Sequence, residues 1–184
     1  MNHAIILAAG QGQRMEMGKD KLLLKVANHP IIYYAVAALN DHEFVDDITI
    51  VVNRQNREEI VKIIKTYRFR KVKSVVLGGI TRQKSLQKGI SSLKKTADKD
   101  LVIVHNGANP LPSHDEISQA VEIAAKEKAC IVGHKISDTV KKVKNKKIES
   151  TIDRSDLYAA QTPQVVELGL LKKALIKAEK KGLE

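Results

Sequence analysis

Gly10, Gly12 and Arg14 come directly after the apolar run Ile5-Ile6-Leu7. Residues of these types in this order can bind phosphate. Glycines let backbone N–H groups turn inward around a small anion, and an arginine adds a permanent charge on a planar fork of donors. Taken alone, the same stretch also describes a tight turn carrying an exposed arginine. Two well-known phosphate loops are excluded. The pattern G-x-G-x-x-G fits Gly10 and Gly12, but Met15 stands where its third glycine belongs, and no acidic residue ends a strand roughly twenty residues on. The pattern G-x-x-x-x-G-K-[ST] fails because Gly12 and Gly18-Lys19 lie one residue too far apart and Asp20 replaces the hydroxyl.

The elements that must hold such a loop are legible from hydrophobic pattern. Ile5 to Leu7 is short, apolar and β-branched without alternation, as in a parallel strand covered on both faces. Pro30 suits the first turn of a helix over about 31–39, and Asp47 to Asn53 reads as a second strand. Arg54 to Tyr67 is amphipathic, with Ile60, Ile63, Ile64 and Tyr67 on one side. Val72 to Leu77 is a third strand ended by Gly78-Gly79, Thr81 to Lys95 a helix, and Leu101 to His105 a fourth strand. Ser113 and Glu116 form a capping box for a helix to about Lys126, and Ala129 to Gly133 is a fifth strand. This rhythm predicts an α/β fold of Rossmann-like type, a doubly wound and mostly parallel sheet with ligands at the carboxyl ends of its strands.

After Gly133 the rhythm changes. Thr139 to Lys144 and Lys147 to Ile152 alternate in character around Asn145-Lys146, which predicts a β-hairpin arm over about 136–156. A two-stranded ribbon is barely stable alone. It is either an exposed lysine-rich flap or a surface that packs on something, and a second subunit is the economical partner.

The chain has 184 residues, 43% of them apolar, enough for one hydrophobic core, and a single domain over 1–184 is expected. One cysteine, Cys130, excludes an internal disulfide framework and fits a reducing compartment. The opening residues have no basic region before a long apolar run, and no stretch approaches the about 20 apolar residues of a membrane span. A cytoplasmic protein with no membrane partner is expected. The net charge of +11 comes mainly from scattered lysines, including Lys141, Lys142, Lys144, Lys146 and Lys147. With no tryptophan and 3% aromatics there is no stacking platform, so no nucleic-acid partner is expected and the charge suits anionic metabolites.

Six motifs then occur in order: LAAGQGQRM followed by Lys21, GGITRQKS from Gly78 to Ser85, HNGANP from His105 to Pro110, DTVK from Asp138, TIDR from Thr151 and QTPQ from Gln161. In order and spacing they resemble the 2-C-methyl-D-erythritol 4-phosphate cytidylyltransferases of the non-mevalonate isoprenoid pathway. The resemblance implies an enzyme that joins CTP to a polyol phosphate, giving a CDP-alcohol and pyrophosphate, with ribitol 5-phosphate as the alternative acceptor and a catalytically silent nucleotide-binding homologue as the alternative to activity. It implies catalytic roles for Arg14 and Lys21, which would stabilise charge at the reacting phosphorus, and nucleotide binding by Ala8, Ala9, Gly10, Gly12, Gly79 and Ser85. It implies substrate binding by Thr139 and Arg154 on an arm that crosses to the other subunit of a homodimer. The resemblance also implies Mg²⁺, with a metal ligand at position 106. There Asn106 replaces the family's aspartate, and Asn109 replaces an arginine. Finally, it implies a further strand and helix beyond Glu184, carrying an acidic metal ligand and a substrate-positioning lysine.

Overall fold

The structure, a computed structural model, describes residues 1–10 and 20–183. In chain order the elements are β1 (Asn2–Ala8), a 3-10 turn (Lys21–Leu23), β2 (Lys25–Val26), β3 (His29–Pro30), α1 (Ile31–Asn40), β4 (Asp47–Val52) and α2 (Arg57–Tyr67). There follow β5 (Val72–Leu77), α3 (Arg82–Ser92), β6 (Leu101–Asn106), α4 (His114–Glu127), β7 (Ala129–Lys135), β8 (Lys141–Lys144), β9 (Lys147–Thr151), β10 (Tyr158–Glu167) and α5 (Leu168–Lys180). The main sheet has the order β5-β4-β1-β6-β10-β7. β10 runs antiparallel to both neighbours and β5, β4, β1 and β6 pair in parallel, so the expected mostly parallel, doubly wound sheet is present.

Burial on both faces explains the unbroken apolar strands. Ile5 and Ile6 are both fully buried yet point oppositely. Ile6 joins Ile48, Ile50 and Ile103 beneath α1, α2 and α4, while Ile5 joins Val51, Val102 and Val104 beneath α3 and α5. Each such isoleucine adds about 1.5–3 kcal/mol relative to exposure. The strands are therefore fixed in register by their neighbours on both sides, and β1 sits centrally between β4 and β6.

The amino ends of these strands are clamped by charge. The buried His3 ring bonds Asp47 through Nδ1 at 2.9 Å and Asp100 through Nε2 at 3.4 Å. Asp100 also accepts from the Met1 ammonium at 2.8 Å and the Ala97 N–H at 2.6 Å. Burial pushes the Asp100 carboxyl up, but these hydrogen bonds outweigh it and hold its pKa at about 2.

Three local differences from the expected elements have physical causes. α2 starts at Arg57, not Arg54, because Asn53 Oδ1 accepts the N–H groups of Gln55 and Asn56 at 2.9 Å each and holds a turn there. α3 starts at Arg82 because Thr81 caps it, its Oγ1 accepting from the Lys84 N–H at 3.2 Å, and the helix ends at Ser92. The largest difference is β10, a ten-residue strand inside the sheet that the pattern did not show. Pro163 and the polar run Gln161-Thr162 argue against a strand. The ladder with β7 accommodates them by a bulge between Ala160 and Gln164. The capping box at Ser113 and Glu116 is present, with the two bonds at 3.1 and 2.8 Å.

The arm is formed as expected. β8 and β9 pair antiparallel, with Lys144 opposite Lys147, so Asn145 and Lys146 are the two loop residues. Both have positive φ, 50° and 62°, the backbone of a type I′ turn. Every residue of both strands is exposed, Val143 and Ile148 included.

Candidate active site

An open cleft of about 1410 Å³ lies at the carboxyl ends of β1, β4, β5 and β6. This is where the strand order reverses between β1 and β6, the usual ligand position in such sheets. The end of β1 contributes Ala8, Ala9 and Gly10, three of the predicted nucleotide-binding residues. Gly79, Ser85, Lys21 and Asn106 line the same cleft. Gly12 and Arg14 lie outside the described residues, as does Lys19. Thr139 and Arg154 do not line it. Thr139 is exposed just before β8, and Arg154 donates to the Ser137 carbonyl at the base of the arm.

Close packing makes the glycine-glycine turn possible. A Cβ on Gly78 would lie 2.5 Å from the Ala9 Cβ and 2.8 Å from Ser85 Oγ, and one on Gly79 would lie 2.4 Å from the Lys84 Cβ. The ends of β5 and α3 can therefore approach the end of β1 only with glycine at both positions. Ser85 is buried, and its Oγ accepts from the Gly79 N–H at 3.1 Å and donates to the Gly79 carbonyl at 3.4 Å. Its hydroxyl holds the shape of this turn at the edge of the cleft.

Lys21 is positioned from below. Asp20 caps the 3-10 turn, its Oδ1 accepting the Leu22 N–H at 2.9 Å, while the Leu22 side chain is buried in the core. The other oxygen of Asp20 accepts from Asn56 Nδ2 at 2.7 Å. Asn56 is 1% exposed and also donates to the Ala8 carbonyl at 2.9 Å, while its Oδ1 accepts the Asn53 N–H at 3.0 Å. One buried amide thus joins the end of β1, the end of β4 and the turn that carries Lys21. Nothing in the local sequence singles Asn56 out, since its partners lie 48 and 36 residues away.

The opposite wall explains two motifs. The Asn106 N–H donates to Thr162 Oγ1 at 3.3 Å, and Asn109 Nδ2 donates to the Thr162 carbonyl at 3.3 Å. The bulge in β10 therefore ties QTPQ to HNGANP and brings Gln161 to the cleft. His105 is fully buried beneath this loop, with Nε2 2.9 Å from the Asn109 carbonyl. A carbonyl only accepts, so Nε2 carries the proton. Burial lowers the pKa of His105, and the carbonyl bond only partly offsets it.

Among the described lining residues the basic side chains are Lys21, Arg54, Arg82 and Lys88, against one carboxylate, Asp20. Asp20 is occupied by two donors, and the Asn106 Oδ1 accepts from the Arg82 guanidinium. Magnesium favours carboxylates together with substrate phosphates. Among the described residues, one carboxylate already accepting two hydrogen bonds and an amide oxygen turned toward an arginine do not fit a protein-held Mg²⁺. Outside the cleft, His42, Glu43 and His114 cluster, but His42 Nδ1 already accepts the Phe44 N–H at 3.1 Å. The arrangement can hold a polyphosphate against backbone N–H groups and fixed cations.

A doubly wound sheet with such a cleft at its switch point is the architecture of nucleotide-binding α/β proteins. The model of the IspD family, 2-C-methyl-D-erythritol 4-phosphate cytidylyltransferase, matches residues 2–184. The chain belongs to that family. It is 39% identical over 183 residues to the 2-C-methyl-D-erythritol 4-phosphate cytidylyltransferase of Bacillus licheniformis, covering 99% of this chain and 78% of that one. It is 40% identical over 172 residues to the protein of that name from Lachnoclostridium phytofermentans, covering 93% and 72%. The crystal structure of 4-diphosphocytidyl-2C-methyl-D-erythritol synthase from Anaerococcus prevotii superposes with a TM-score of 0.84 at 26% identity, covering 100% of this chain and 77% of that one.

Proposed function

We propose that this chain transfers the cytidylyl group of CTP to 2-C-methyl-D-erythritol 4-phosphate, in isoprenoid precursor synthesis in the cytoplasm. A phosphate oxygen of the polyol forms a bond to the α-phosphorus of CTP. The bond from that phosphorus to the bridging oxygen of the β-phosphate breaks, and pyrophosphate leaves with the electron pair. No side-chain nucleophile is needed, so the protein's part is alignment and charge. The observation that carries this reading is the cleft itself, lined by Ala8 to Gly10 at the end of β1 and by the cations Lys21, Arg54, Arg82 and Lys88.

In this reading the triphosphate lies along residues 8–10 and 12, and Lys21 and Arg14 stabilise the charge that develops at the α-phosphorus. The slot beside Gly78 and Gly79 takes the base. Mg²⁺ enters only as the companion of the triphosphate, with the protein contributing cations. Thr139 and Arg154 act in trans. Val143 and Ile148 are exposed on the arm, as are Ile131 and Tyr158 near its base, and these suit burial against a second copy of the chain. Arg154 there would meet the polyol phosphate, for which its donor fork is suited.

The test is pyrophosphate release with CTP, Mg²⁺ and a panel of polyol phosphates. Methylerythritol phosphate should give the highest kcat/KM, and preference for ribitol 5-phosphate would reassign the acceptor. Arg14→Ala and Lys21→Ala should each lose about 2.7–4 kcal/mol of transition-state stabilisation, with a much smaller change in CTP affinity. Equal losses in rate and affinity would reduce both to ground-state contacts.

A further inference from the structure

Arg82 is the first residue of α3, at the mouth of the cleft, and its guanidinium donates to Asn106 Oδ1 at the end of β6. The partner matters because it is neutral. A carboxylate in that place would cancel the arginine's charge, whereas an amide oxygen fixes its direction and leaves the charge intact. Among the described residues Arg82 makes no ion pair, and neither do Lys21, Arg54 or Lys88, while the single lining carboxylate is turned to Leu22 and Asn56. Asn106 is itself held by the Thr162 hydroxyl through its backbone N–H, so the acceptor that aims Arg82 is anchored by the β10 bulge. Among the described residues the cleft thus carries four cations against one carboxylate, and that carboxylate already accepts two hydrogen bonds.

Resting on the function proposed above, we propose that Arg82 is a phosphate-binding residue of this site, held in place by Asn106 as its positioning residue, so that protein charge rather than a protein-bound divalent ion engages the triphosphate. The donors of Arg82 not occupied by Asn106 are available to a phosphate oxygen. Because this attraction is built into the protein, nucleotide binding should persist when divalent ions are removed.

Calorimetric binding of CTP, and separately of inorganic tripolyphosphate, to the full chain in EDTA and in Mg²⁺ tests this. The parent should bind both in EDTA. Arg82→Gln should weaken binding in EDTA by about tenfold or more, as expected for losing a charge-assisted bond to an anion, while Arg82→Lys should recover part of it. Asn106→Asp should weaken binding in EDTA comparably by neutralising the arginine, and thermal unfolding of each variant separates this from loss of fold. Unchanged affinity for Arg82→Gln in EDTA overturns the proposal. So does an Asn106→Asp variant whose EDTA affinity is unchanged while less Mg²⁺ gives half-maximal activity, since position 106 then ligates the metal. Tripolyphosphate binding that depends on Arg82, without CTP binding, would uphold the anion site and refute the CTP reading. A parent that binds neither refutes both.

Discussion

Asn56→Ala should cost this protein about 2–4 kcal/mol. The change removes a 1%-exposed amide whose three bonds, at 2.9, 2.7 and 3.0 Å, reach Ala8, Asp20 and Asn53. The Ala8 carbonyl is buried and loses its side-chain donor outright, at about 1–3 kcal/mol. The Asn53 N–H is part-buried and adds a smaller amount of the same kind, while Asp20 lies at the cleft and can be reached by water. For a chain of this size each kcal/mol lowers Tm by about 2–4 °C, so a fall of about 5–15 °C is expected in calorimetry. Asn56→Asp makes a sharper comparison. It keeps an acceptor for Asn53 but turns a second carboxylate oxygen toward two acceptors, Ala8 O and Asp20 Oδ2. It should be at least as damaging at neutral pH and should regain stability as pH falls and the new carboxyl protonates, a dependence Asn56→Ala lacks. Well below the lowered Tm, both variants should also lose turnover, because the capped turn carrying Lys21 is no longer tied to β1 and β4. A Tm for Asn56→Ala within about 2 °C of the parent would refute the idea that this amide holds the site together.

Gly78→Ala should destabilise by about 1–3 kcal/mol, since its Cβ would sit 2.5 Å from that of Ala9, and a Tm equal to the parent's in the same scan would contradict this. Replacing residues 140–150 by a short glycine-rich turn should give a monomer in sedimentation that still binds CTP, and a dimer would move the interface elsewhere. His42 and His105 both have pKa values lowered from 6.5, first by burial, so the unfolded chain binds protons that the fold does not. Stability should therefore be fullest above about pH 6.5 and decline as pH drops below it. Asp100 contributes a second window: its carboxyl, lowered from 3.8 to about 2, supplies stability above about 3.8 that is lost as pH falls toward 2. Thermal unfolding from pH 7.5 down to 2.5 reads both, and a Tm independent of pH between 5 and 7 would refute the histidine part.

Sequence alone determined the features that rest on near neighbours. The apolar β-branched runs became β1, β4 and β6 because a strand buried on both faces needs no alternation. Ser113 and Glu116 are three residues apart, so their capping box is a local object, and so is the turn at Asn145-Lys146 between strands of opposite direction. Gly10 was legible as a candidate phosphate-loop residue because it follows an apolar strand, where a parallel sheet opens its cleft, whereas Gly79 and Ser85 were named through the resemblance carried by GGITRQKS.

What only the tertiary structure decided depends on partners far along the chain. β10 lies between β6 and β7 although Pro163 interrupts its pattern, because pairing on both sides and a bulge outweigh local propensity. That strand's Thr162, 56 residues from Asn106, holds the HNGANP loop. Asn56 looked like any residue near a helix start until the fold showed it bridging two strands, and the bonds of Ser85 to Gly79 likewise exist only in the folded turn. The direction of Arg82 was beyond the sequence for the same reason. An arginine is charged wherever it stands, and only folding sets an uncharged amide 24 residues away in front of it.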